Sequence, residues 1–129
     1  MGQQQLLLIV LGVLIVGMSI YGGVRVMDDF NQDNDRDLLI SQMLTIVSEA
    51  RKYSAKPTYL GGGEGSLTGF TPPQNMMTTD RFRIYSGATD QSLTLTGFGL
   101  VSGNDSVNPV NVILTFTLDD NTTVSEIIN

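Results

Sequence analysis

The chain has 129 residues and a net charge of −6, from 13 acidic and 7 basic side chains. That balance argues against a nucleic-acid partner, because phosphate binding needs clustered Lys and Arg, and only Arg51, Lys52 and Lys56 form even a modest basic group. Cysteine, histidine and tryptophan are absent, which excludes disulfides and thiolate chemistry and removes the commonest general base and metal ligand. No enzyme activity, catalytic residue, metal or cofactor is therefore expected.

Residues 6–24 run nineteen positions without a charge. As a helix they span roughly 28 Å, close to the hydrocarbon thickness of a bilayer. The segment is apolar on every face, so it must be buried all round, by lipid or by protein. It lacks a basic n-region, exceeds a signal-peptide core and is followed by no small-residue cleavage site, so we expect it to be retained. Gln3, Gln4 and Gln5 stand directly before it. Amides entering a lipid or protein interior need partners. In a helical bundle a neighbouring chain supplies them, including through its N-terminal ammonium; before assembly they sit at the headgroups. Gly12, Gly17, Gly22 and Gly23 interrupt the run, each costing about 1 kcal/mol relative to alanine in a helix. Two compatible explanations are close helix packing, for which Ser19 and Gly23 have small-xxx-small spacing, and a point where the helix stretches or unwinds within 17–23.

Residues 28–37 hold five aspartates against one arginine, and the helix either continues through them, solvated, or breaks near 31–34 and restarts at Asp35. From Leu39 the helical period is clear, with Leu39, Met43, Ile46, Val47, Ala50 and Tyr53 or Ser54 on one face. Cations in the last turn and Pro57 beyond it end the helix near residue 55. Residues 57–80 carry dense Gly and Pro breakers and read as a long loop pinned by Tyr59, Leu60, Leu67, Phe70, Met76 and Met77. The period then switches to two. Strands are expected at 81–86, 92–101, 110–118 and 122–128, with a bulge at Gly97 shifting the phase of the second towards Phe98 and Leu100. The sum is an α+β fold: a long N-terminal helix, apolar in its first half and amphipathic in its second, whose 39–53 face covers a four-stranded antiparallel sheet. Residues 1–25 form the hydrophobic helix. Residues 26–129 form one small head, enough for a single core.

The head offers little chemistry. Asp33, Asp35 and Asp37 mimic the opening of a calcium loop, but Leu38 stands where glycine is needed and Leu44 where a bidentate glutamate belongs; a solvated acidic surface is the preferred reading. The glycine run at 61–65 lacks the Gly-Lys-Ser/Thr of a phosphate loop and carries Glu64 in its middle, so we read it as a closely packed loop. Asp119 and Asp120 suit a hairpin turn for backbone reasons. Asn104 and Asn121 match the N-glycosylation pattern and fall in expected turns. Tyr21, Phe30, Tyr53 and Tyr59 are too widely spaced for a charge-carrying stack and are ascribed to interfacial or core packing.

An apolar helix from residue 6, a polar residue at 5, an amphipathic continuation to about 54 and a strand-rich head together resemble the type IV pilin family. The resemblance covers the whole chain as architecture and residues 1–24 as sequence. It implies that the first half of the helix forms a filament core and the second half packs on the sheet. Family members carry a glutamate five residues into the mature chain that neutralises a neighbour's N-terminus; Gln5 occupies that place here, near-isosteric and uncharged, leaving hydrogen bonding to set the register. It also avoids burying a carboxylate. The family's mid-segment proline is missing, with Gly17, Gly22 and Gly23 in position to take its place. The resemblance further implies that Met1 is the mature, N-methylated residue left by a prepilin peptidase. The alternative, cleavage after Gly2 to leave Gln3 first, would not align Gln5 with the family's glutamate.

These readings lead us to expect the major structural subunit of a type IV pilus or a related extracellular filament. It would wait in the inner membrane with its head outside, then be drawn by the pilus assembly machinery into a homopolymer held by its N-terminal helices. The alternatives are a pseudopilin of a type II secretion or DNA-uptake system, or a single-pass membrane-anchored binding domain.

Overall fold

The computed structural model describes residues 2–102 and 109–128. Helix α1 spans Gly2–Ala55 and is helical at every residue, so the acidic stretch at 28–37 continues the helix rather than breaking it. A single 3-10 turn at Thr58–Leu60 and a four-residue helix α2 at Gln74–Met77 follow within the loop region. Four strands follow among the described residues: β1 Phe82–Ala88, β2 Ser92–Ser102, β3 Pro109–Thr117 and β4 Thr122–Ile127. They form one antiparallel sheet in the order β1-β2-β3-β4. The α+β arrangement expected from the sequence is thus the one the structure shows. Two compact units divide the chain, Met1–Asn31 and Gln32–Asn129.

Within the second unit one face of α1 closes one face of the sheet. Leu39, Met43, Ile46, Val47 and Ala50 pack with Ile84, Leu93, Leu95, Val110, Val112, Leu114 and Phe116, all buried. The spacing on α1 is helical and that on β3 is strictly alternate, so each element presents one apolar surface and the two surfaces meet. The Arg51 guanidinium covers the far side of the core, 4.9 Å from the centre of the Phe116 ring, a cation–π contact that also shields the ring from water.

Gly97 does not make a bulge. It points into the core, where a Cβ would overlap the ends of Leu39 and Met43, so the glycine is there to let α1 approach the sheet closely. The buried alternation Leu93, Leu95, Gly97, Gly99 keeps one phase through β2. Phe98 faces the other side, opposite Arg83 and Asn111, and Leu100 is 67% exposed. The register irregularity lies later, between Phe98 and Ser102.

The loop is tied down differently from expectation. Leu67 is fully buried, and Phe70 and Met76 pack against the core, with Phe70 also 5.5 Å from the Tyr53 ring. Tyr59 and Leu60, expected as pins, are instead 83% and 62% exposed. The glycine run has a specific task. Gly63 N–H donates to Tyr53 O (2.9 Å), Gly65 N–H to Ser54 O (2.7 Å) and Glu64 N–H to Lys56 O (3.0 Å), satisfying carbonyls at the helix end that have no partner within the helix. A Cβ on Gly63 would collide with the Ser66 carbonyl and crowd Tyr53. Gly63→Ala should therefore loosen this cap and lower head stability by about 3 kcal/mol, seen as an earlier thermal transition of the detergent-solubilised chain.

The two edges of the sheet differ. Beyond β1, Thr78 bridges to Arg83 and Thr79 N–H donates to Phe82 O (3.0 Å), which covers the first residues of that edge. β4 pairs only with β3 and buries no residue.

Candidate assembly surface

The first unit is a helix with no core of its own. Every described residue from 2 to 31 is exposed. The fourteen large apolar side chains between positions 6 and 24 are exposed by 48–75%. Completing the burial of each one stabilises by roughly 1–2 kcal/mol, on the order of 20 kcal/mol together. That exceeds the whole folding stability of an ordinary domain, so lipid or other helices must cover this surface. By length and composition α1 is apolar enough to cross a membrane.

Gln3, Gln4 and Gln5 occupy the first turns of α1, all exposed, with Leu7 and Leu8 beside Gln3 and Gln4. Met1 lies outside the described residues. Gly12, Gly17, Gly22 and Gly23 are all helical, and a Cβ at any of them would meet nothing within 4 Å. Nothing inside the described chain therefore requires a glycine at these positions. The Ser19 hydroxyl donates to Ile15 O at 2.8 Å, which satisfies a polar group inside the apolar run without a second chain.

One feature of this surface escaped the sequence reading. Arg25 sits one turn after Tyr21 and donates to its hydroxyl (2.8 Å) while lying 5.3 Å from the ring centre. The pair closes the apolar run with a cation and an amphipathic ring, the chemistry of a membrane–water boundary. Its i,i+4 spacing was visible in the sequence.

In the head, the exposed Asp33 pairs with the largely buried Arg36 (3.2 Å) along α1. Asp35, in contrast, is buried, 4% exposed, and meets Arg81 at 3.3 Å. The three aspartates thus lie on a helix, with the middle one turned towards the sheet rather than solvated as expected. No group of three or more potential metal ligands occurs among the described residues. Asn121 is exposed in the β3–β4 turn with φ +50°, where asparagine is tolerated. Asn104 lies outside the described residues.

Comparison with protein-family models, with curated proteins and with solved structures found no match.

Proposed function

We propose that this chain is a structural subunit of a type IV pilus or type IV pilus-like extracellular filament, polymerising through residues 2–31 of α1. The observation that carries the reading is the contrast between the two units: a head with a closed core, and a helix with its whole apolar surface uncovered. The subunit resides first in the inner membrane, head outside, and assembly replaces lipid contacts with contacts to neighbouring helices. Four glycines that serve no contact inside the chain fit a surface whose partners are other backbones. Gln5 replaces the charge-based register of the resembled family with amide hydrogen bonds to a neighbour's N-terminus. The head has no assigned chemistry of its own and acts as the outer coat.

The test is electron microscopy of filaments sheared from cells that make the chain, with intact-mass analysis of the dissociated subunit. This protein should be the main component of thin surface fibres, and its mass should report leader removal, N-methylation and any glycan at Asn104 or Asn121. Fibres lacking the chain, or its confinement to membranes in cells that bear fibres, would overturn the proposal and favour a single-pass anchored domain.

A further inference from the structure

Both edges of the sheet carry backbone groups that the head leaves unpaired, and the two edges complement one another. Ile128 N–H donates to Asn111 O (2.9 Å), so the even-numbered residues of β4 bond to β3. The N–H and C=O groups of Thr123, Ser125 and Ile127 therefore point away from the sheet. β4 carries one charge, Glu126, and no proline, so it lacks most of the devices that keep an edge from pairing. On the opposite edge, Leu100 N–H donates to Arg81 O (3.0 Å), and the same alternation turns the backbone groups of Phe82, Ile84, Ser86 and Ala88 outwards. Thr78 and Thr79 cover the start of this edge. No backbone hydrogen bond from outside the sheet reaches Ser86 or Ala88 among the described residues. Arg83 alternates with the buried Phe82 and Ile84, and Glu126 lies opposite Ile113, which alternates with the buried Val112 and Leu114. Both charges thus stand on the sheet face away from α1. Each is exposed and makes no ion pair among the described residues.

We infer, resting on the filament reading, that β4 of one copy pairs antiparallel with the uncovered end of β1 in the next, joining their sheets. Outward-pointing residues must face one another. Setting Ser125 opposite Ser86, with Thr123 opposite Ala88, uses both free residues of β1. Glu126 then lies diagonal to Arg83 of the next copy on the same face, within reach of so long a side chain. Sliding β4 by two residues either sets Ile127 against the covered Phe82 or carries Glu126 away from Arg83. Asp80, Asp90, Asp119 and Asp120 lie in turns and bends beyond the paired residues, where salt screens them. The two edges of one molecule match in hydrogen-bonding phase, in face and in charge, and that match selects a second copy as the occupant. β1 and β4 are opposite edges of one sheet, three strand spacings or about 14 Å apart. A neighbour on one edge leaves the other free for a third copy, so the contact propagates, as a polymer requires. An antiparallel β4–β4 pair would instead be two-fold about an axis normal to the sheet. That axis reverses α1 where it packs on the sheet, which subunits entering one membrane or one bundle in the same sense cannot do. It also brings Glu126 near Glu126 with no cation facing either. One such contact is small, but every subunit repeats it along the fibre.

The chain has no cysteine, so a disulfide between introduced ones reports the contact directly. The full chain carrying Ser86→Cys and Ser125→Cys is assembled in its own cells and mildly oxidised. Within one copy the two positions are too far apart to bond, whereas across the inferred pair their Cα atoms stand about 5.5 Å apart, which suits a disulfide. A ladder extending past the dimer is expected from the double variant, and neither single variant can extend past a dimer. In parallel, Arg83→Glu and Glu126→Arg should each lower fibre yield about tenfold, while the two together restore it. Restoration separates a lost contact from a misfolded head, because two folding defects would add. Normal fibres that give no ladder, or yields unmoved by the charge reversals, overturn the contact while leaving the filament intact. Dimers from Ser125→Cys alone, with no ladder from the double variant, overturn it in favour of a two-fold β4 pair. If the unaltered chain makes no fibre, the filament reading fails and this contact falls with it.

Discussion

Phe116→Ala should cost the head about 4 kcal/mol, the upper part of the range for removing a buried ring. The ring is fully buried, and it sits between Leu93 on β2 and Thr123 on β4 in the paired register. Arg51 caps the ring, 4.9 Å from its centre. Truncation therefore opens a cavity and strands the guanidinium stem at the same point, and collapse from the β4 side offers little to fill it, since β4 buries nothing. A loss of this size is a large fraction of what a domain of this length holds in reserve. In thermal melts of the detergent-solubilised chain the head transition should fall by about 20 °C. Val124→Ala on the solvent side of β4 is the control, expected within about 0.5 kcal/mol of the parent. A Phe116 variant that melts with the control would mean that α1 and the sheet do not close on one another as described.

The parts of this fold that were readable in advance are those where one physical signal dominates. Val110, Val112, Leu114 and Phe116 alternate without exception, and all four are buried. Leu39, Met43, Ile46, Val47 and Ala50 keep the helical period, and they too are buried. Where a residue admits two physical explanations, the sequence could not choose. A glycine in a strand signals either a bulge or a close approach; Gly97 proved to be the second, because Leu39 and Met43 occupy the space its side chain would need. Asp35 lies four residues before Leu39, on the core face by spacing. Its charge argued for solvent; instead it is buried, with Arg81, 46 positions away, 3.3 Å from its carboxylate. Tyr59 and Leu60 were assigned to packing by their hydrophobicity alone. The glycine cap at 63–65 commits the surrounding backbone to the end of α1, and the two side chains are left facing solvent. The candidate assembly surface was legible as a surface, since a segment apolar all round has to be covered. What covers it is a property of more than one chain, and no periodicity within one chain encodes that.

The glycines of the apolar segment offer the sharpest separation of lipid from protein as that cover. Gly17→Leu and Gly22→Leu add apolar area to a helix whose neighbours within the chain leave the positions open, with nothing within 4 Å of either Cβ. In a bilayer both changes are favourable: leucine is the better helix former by close to 1 kcal/mol, and it partitions into hydrocarbon more readily. A membrane-anchored monomer should therefore insert at least as well as the parent, with an unchanged head transition. In a bundle the same leucines meet backbone where glycine allowed close approach. Overpacking of that kind costs up to about 3 kcal/mol per site, and each ~1.4 kcal/mol is a tenfold rise in the subunit concentration needed for assembly. Because every subunit in the fibre repeats the clash, neither variant can confine it to one place. The expected result is normal membrane insertion with surface-fibre yield reduced at least about tenfold, read by quantitative immunoblot of membrane and sheared fractions from the same cells. Gly17→Ala serves as the graded comparison, adding one methyl and losing less. Fibre yields that are equal for alanine, leucine and glycine at position 17 would show that this face of the helix meets no other chain.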